Sequence, residues 1–217
     1  SSAASDVYKR QLLALLIVGI VVYILINRED AEAVLSEASV FFEDGSYTQA
    51  IKQYEHFVEA FPNHPQFSTA KVKLGIARLW KATRGADSSN ALHTAQDVLD
   101  TIQDEEEFKS AQRDLASLLP EISRGLAADA ENASSAEEVN RLVGLANVSL
   151  GLCTNTKFIS KKFRDEVILD EVRETLVRVK RTRLQKERLA AALLEIQVAI
   201  EAQDTAKAYQ IHKQLID

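Results

Sequence analysis

Between Val21 and Asp44 the chain has neither Gly nor Pro, and its 217 residues contain only seven Gly and three Pro. This scarcity of chain breakers constrains the fold more than any other feature. Compact sheets need frequent turns, and turns draw on Gly and Pro. Ala, Leu, Glu, Gln, Lys and Arg dominate instead, with eight Phe, five Tyr and one Trp. That mix favours helix over sheet, so an all-α chain is expected.

The first helix should be unusual. Leu12 to Ile26 carries no charge and no Pro, and Gly19 is its only small breaker. Its polarity switches at Asn27, Arg28, Glu29 and Asp30. At about 1.5 Å per residue the run covers roughly 22 Å, against about 30 Å of bilayer hydrocarbon. A secretory signal would suit the shorter length, with Ala31-Glu32-Ala33 imitating a cleavage site, but NRED intervenes where such a signal is neutral. A buried core helix is the other alternative, although a run apolar on every face is uncommon in a small helical domain. The leading expectation is a single-pass membrane helix over 12–27, with the bilayer as partner of residues 12–26. Its weakly charged downstream flank points to a periplasmic or extracytoplasmic helical domain.

The preceding SSAASDVYKRQ bears on this reading. One permitted set of codons for all eleven residues resembles the transposon adapter used to prepare sequencing libraries. The resemblance implies that residues 1–11 are adapter-derived, that Lys9 and Arg10 say nothing about topology, and that the apolar run is cut short. The sequence has no Met.

The segment AEAVLSEASVFFEDGSYTQAIKQYEHFVEAFPNHP predicts two amphipathic helices around a turn at Gly45-Ser46, the first continuous with the apolar run. Val34, Ala38, Phe41 and Phe42 share a face on the first. Tyr47, Ala50, Ile51, Tyr54, Phe57 and Val58 do so on the second, and Pro62 and Pro65 end it. Small Ala38 and Ala50 permit close helix approach. The set Ala38, Phe41, Gly45, Tyr47, Ala50, Tyr54 and Pro62 resembles a tetratricopeptide repeat, with departures at Glu37 and Phe57. The NHP that follows resembles the repeats of bacterial cell-envelope proteins. Leu74 and Gly75 restart the pattern 37 residues after Ala38, against a usual ~34, and Leu92, Ala95, Val98, Leu99 and Ile102 supply a partner helix. The implied fold is a membrane helix running into an α-solenoid of antiparallel helix pairs over 31–103.

Residues 104–159 read as a degenerate helical region. Phe108, Ala111, Leu115 and Leu118 form a face, Pro120 is expected to break or kink the path, and Ile122 and Leu126 resume it. Ser135 with Glu138 fits a capping box for a helix burying Val139, Leu142, Val143, Ala146 and Leu150. Two glycosylation triplets, at Asn132 and Asn147, are of a kind common by chance. Over 160–217, Ser160 is the expected cap of a long helix with a stripe at Ile168 or Leu169, Val172, Leu176 and Val179. The stripe fades through RVKRTRLQKER and resumes at Leu189, Leu193, Ile196 and Ile200. The basic cluster reads as a solvated connection between two helices. Asp204 then opens a hairpin in which Ala208 and Leu215 face the partner. An apolar helix end without a polar cap suggests that the C-terminus is cut as well.

Function is read by elimination. Net charge is -6 with both signs interleaved, which argues against a nucleic-acid partner. The four His sit in no metal-ligand spacing, and Cys153 is the only cysteine. There is no nucleophile elbow, phosphate loop or paired His-carboxylate arrangement. No catalytic residue and no cofactor are expected. The repeat resemblance implies a membrane-anchored scaffold for protein or peptide partners, with contacts from first helices around Glu37 and Lys71. The alternative is a spacer in a larger receptor or enzyme whose active domain lies outside this stretch.

Overall fold

The computed structural model describes the backbone of residues 2–216 and the side chains of residues 11–23 and 31–215. Helices α1 (Ser2–Glu43), α2 (Tyr47–Ala60), α3 (Phe67–Thr83) and α4 (Ser88–Ile102) are followed by a 3₁₀ turn over Glu106–Ala111. Then come α5 (Gln112–Asn132), α6 (Ala136–Thr154), α7 (Glu166–Glu201) and α8 (Thr205–Ile216). No strand occurs among the described residues, as the composition requires. The chain divides into two compact units, Ser1–Leu118 and Leu119–Asp217.

The membrane reading is corrected. Among the described residues no helix is long and apolar enough to cross a membrane. The apolar run from Leu12 is only about 22 Å long against about 30 Å of hydrocarbon, with charged residues at either end. Leu12, Gly19 and their neighbours to Tyr23 are exposed on the first part of α1. The side chains of residues 1–10 and of 24–30, and so Ile26 and the polarity switch, lie outside the described residues. The single-pass span, the bilayer partner and the extracytoplasmic envelope placement are withdrawn with it. What stands of the expected fold is an all-helical chain without the membrane span.

In the first unit each helix packs on its sequence neighbour: α1 on α2, α2 on α3, α3 on α4. α1 ends where the amide of Ser46 reaches back to the Phe41 carbonyl (2.8 Å) and that of Gly45 to Phe42 (3.1 Å). This double closure needs a left-handed residue, and Gly45 supplies it at φ 71°. Ala31 and Ala38 of α1, Ala50, Tyr54 and Phe57 of α2, and Ala70, Leu74 and Ala77 of α3 form one core. Small residues on all three helices let the backbones approach, and the two rings fill the space left. Each large side chain sealed there contributes about 1.5–3 kcal/mol. Gly75 serves α3's other face, where an added Cβ would stand 2.9 Å from Val98 and 3.0 Å from Ile102 of α4.

Of the break or kink expected at Pro120, α5 rules out the break. The helix passes through it unbroken, with Pro120 buried. A proline costs a helix one amide donor. Leu115, Leu118, Leu119 and Ile122, each at most 2 % exposed, anchor the turns on either side.

In the second unit Ser135 Oγ accepts the Glu138 amide (3.1 Å) at the start of α6, as the capping motif predicts. The Glu138 carboxylate turns instead to Arg141 (2.7 and 2.9 Å). The α7 cap is Asp165, not Ser160: its carboxylate accepts from the Val167 and Ile168 amides. A short 3₁₀ turn at Lys161–Phe163 intervenes. α7 then runs as one long helix through the basic cluster, which is part of the helix and not a connection between two. Asp204 caps α8 by accepting the Lys207 amide (3.0 Å).

Candidate functional site

The repeat-signature residues fall into two groups. Ala38, Ala50, Tyr54 and Leu74 meet in the first core, with Phe41 and Tyr47 packed half-buried against it. Gly45 makes the turn, and Pro62 lies exposed after α2, where the chain leaves the helix. Gly75 stands apart, at the α3–α4 contact. These positions build the fold and leave the outer faces to polar groups.

Those groups sort by helix face. Glu37 of α1, exposed, accepts the Gln53 side-chain amide of α2 (3.1 Å). Tyr54 shares a hydrogen bond with Ser39 (3.3 Å), and Lys73 of α3 donates to the same Ser39 hydroxyl (3.3 Å). Burial raises the Tyr54 phenol above its usual pKa, Ser39 lowers it in part, and nearby Glu43 raises it further. Lys71 is turned elsewhere: its ammonium meets Glu105 after α4 (2.5 Å). Arg78, two turns on, meets Glu55 of α2 (2.7 Å). Glu37 and Lys71, the pair expected to mark one contact surface, are therefore not brought together. Lys73 is the α3 cation that reaches α1.

At the hairpin tip the structure builds a cluster that periodicity did not single out. Tyr47 stacks on Trp80 with ring centroids 5.8 Å apart and planes at 11°. Phe42 approaches Tyr47 edge-on at 5.6 Å. The Arg84 guanidinium lies 4.5 Å from the Tyr47 ring centroid and donates to the Gly45 carbonyl at 3.1 Å. Arg84 thus reads both the left-handed turn and the ring beside it. The sequence carried a signal for this, since Trp80 and Arg84 are four apart at the end of one helix and share a side of it.

The second unit holds a cavity of about 310 Å³ beside the α5–α6 turn, bordered by Val139, Val179, Arg178, Arg183, Lys186 and Glu187 among others. Its arginines are engaged. Arg178 reaches Glu131 with two nitrogens (3.1 and 3.3 Å), and Arg183 holds Glu187 (2.7 Å) and Asn140. Beneath the surface, Ser123 and Ser149 share a 2.7 Å hydrogen bond, and Cys153 Sγ lies 3.6 Å from Ser123. Burial pushes the Cys153 thiol up to about 11, outweighing the Ser123 contact and the charges of Arg164 and Arg173. A thiol held neutral is a poor nucleophile. Among the described residues no group of three or more His, Cys, Asp or Glu could hold a metal ion.

Comparison with known proteins finds no matching family model, no matching curated protein and no matching solved structure.

Proposed function

We propose that the first unit is a protein-interaction module that takes an extended peptide or a partner helix across α1 and α3. The observation that carries this reading is the shared reach of Ser39, Tyr54 and Lys73 across α1, α2 and α3. It continues toward the exposed Arg84 and the half-buried Tyr47–Trp80 stack. Rigid helices present Lys73, Arg84 and the Tyr47–Trp80 rings, while the small-residue core around buried Tyr54 fixes their spacing. Amphipathic rings beside a cation suit peptide recognition, because they give contact area at low entropy cost. The resemblance of the α1–α2 hairpin to a tetratricopeptide repeat supports the same reading. Neither a metal nor a covalent step enters it.

The test is a displayed peptide library selected on the whole chain. Selected peptides should lose affinity on Lys73→Glu and on Trp80→Ala, and should keep it on Arg178→Ala in the second unit. Failure to select any binder, or binders indifferent to Lys73 and Trp80, overturns the proposal.

A further inference from the structure

The second half of α7 leaves apolar side chains in water. Leu189, Leu193 and Ile200 are 49 %, 55 % and 60 % exposed, and Ile196 between them is half-buried. They follow one another at intervals of four, three and four, the spacing of a coiled-coil seam. α8 packs on α7. The residues of this half that lose exposure are Ala192, Ile196 and Ala199, so α8 covers the stripe beside the seam, reaches the seam only at Ile196 and leaves Leu189, Leu193 and Ile200 open.

Charge along this half is segregated. From Arg178 to Arg188 there are six cations against the single acid Glu187. From Leu189 to Asp204 there are Glu195, Glu201 and Asp204 and no cation. The seam is symmetric about the Leu194–Glu195 bond, so an antiparallel copy would set Leu193 against Ile196 and Leu189 against Ile200. It would also bring the cationic end of each helix, at Lys186 and Arg188, toward Glu201 and Asp204 of the other. A parallel copy would set like charges together. We propose that α7 pairs antiparallel with α7 of a second copy of this chain through Leu189, Leu193, Ile196 and Ile200, making the chain a symmetric dimer. One self-complementary patch used twice is the commonest closed assembly.

The test is sedimentation equilibrium of the whole chain in low and high salt. The expected result is a dimer whose dissociation constant rises with salt. Leu193→Asp, at a site already exposed, should raise that constant at least about tenfold with unchanged helical circular dichroism. Val198→Asp, on α7's opposite face, should leave it alone. Orientation is read by spin-label distances in a Cys153→Ala background. A label at position 195 should lie near its mate, and one at 185 about 28 Å from its mate by the helix rise. A monomer at millimolar concentration, a dimer indifferent to Leu193→Asp, or short distances at both positions would overturn the proposal.

Discussion

The two halves of α7 carry similar apolar stripes and meet opposite fates. Leu169, Val172, Leu176 and Val179 are 0 %, 2 %, 4 % and 6 % exposed, sealed within the second unit. Leu189, Leu193 and Ile200 are about half exposed on the same helix. Local spacing sets which residues share a face, and a neighbouring element decides whether that face is covered. Here α6 packs on α7 and α8 covers only a narrow strip farther along.

The largest test of this contrast is truncation in each half. Leu169→Ala should cost about 2–5 kcal/mol, because it removes a sealed side chain and leaves a cavity. Leu193→Ala, measured where the chain is dilute, should change stability by only about 0.5 kcal/mol. Urea unfolding of both variants decides it, and equal losses would erase the distinction.

A second test uses the sealed region's thiol. The Cys153 pKa is raised from 9.0 to about 11, so the folded chain holds its proton more tightly than the unfolded chain. That contribution is full below pH 9 and is lost as pH rises through about 11. A rise of this size corresponds to about 2–3 kcal/mol. Tyr54 is shifted in the same direction, so the measurement is a difference. The urea midpoint should fall more steeply from pH 9 to pH 11 in the parent than in Cys153→Ala. Matching slopes would show that burial does not hold the proton.

The remaining tests compare one helix ending in its sealed and open forms. Gly45 ends α1 at φ 71°, and Gln203 ends α7 at φ 60° with the same two backbone closures, to Ala199 and Ile200. Gly45→Ala should cost about 1–2 kcal/mol for the left-handed backbone, and its Cβ would crowd Arg84 at 3.3 Å. Gln203→Gly should gain about 0.5–1 kcal/mol by removing that strain. Thermal melts of both variants read these signs, and a stabilised Gly45→Ala would show that the turn is not as described.

Much of the fold was legible because the helical period is local. The cores at Ala38, Ala50 and Tyr54, at Leu92 to Ile102, and at Val139 to Leu150 all sit where spacing placed them. Other features failed for nonlocal reasons. Pro120 reads as a break or kink, and packing on both sides carries the helix through without a break. Ser160 and Asp165 are both good caps, and only the intervening 3₁₀ turn chooses between them. The basic cluster resembled a connection because two of its partners, Glu131 and Asn140, lie far away in sequence. The apolar run at Leu12 is a different case, since its shortness for a membrane was already legible in the sequence. In the first unit, Lys71 and Lys73 are two residues apart, about 200° around α3. Composition cannot tell which of them reaches α1.

The tie between Arg84 and Gly45 spans 39 residues, in a unit whose helices pack mainly on their sequence neighbours. Such a unit closes short loops first, and this favours rapid folding. The guanidinium finds both its targets, the Gly45 carbonyl and the Tyr47 ring, only after α1, α2 and α3 have assembled. Arg84 is therefore expected to act as a late latch, so that Arg84→Ala should speed unfolding more than it slows folding in a stopped-flow measurement.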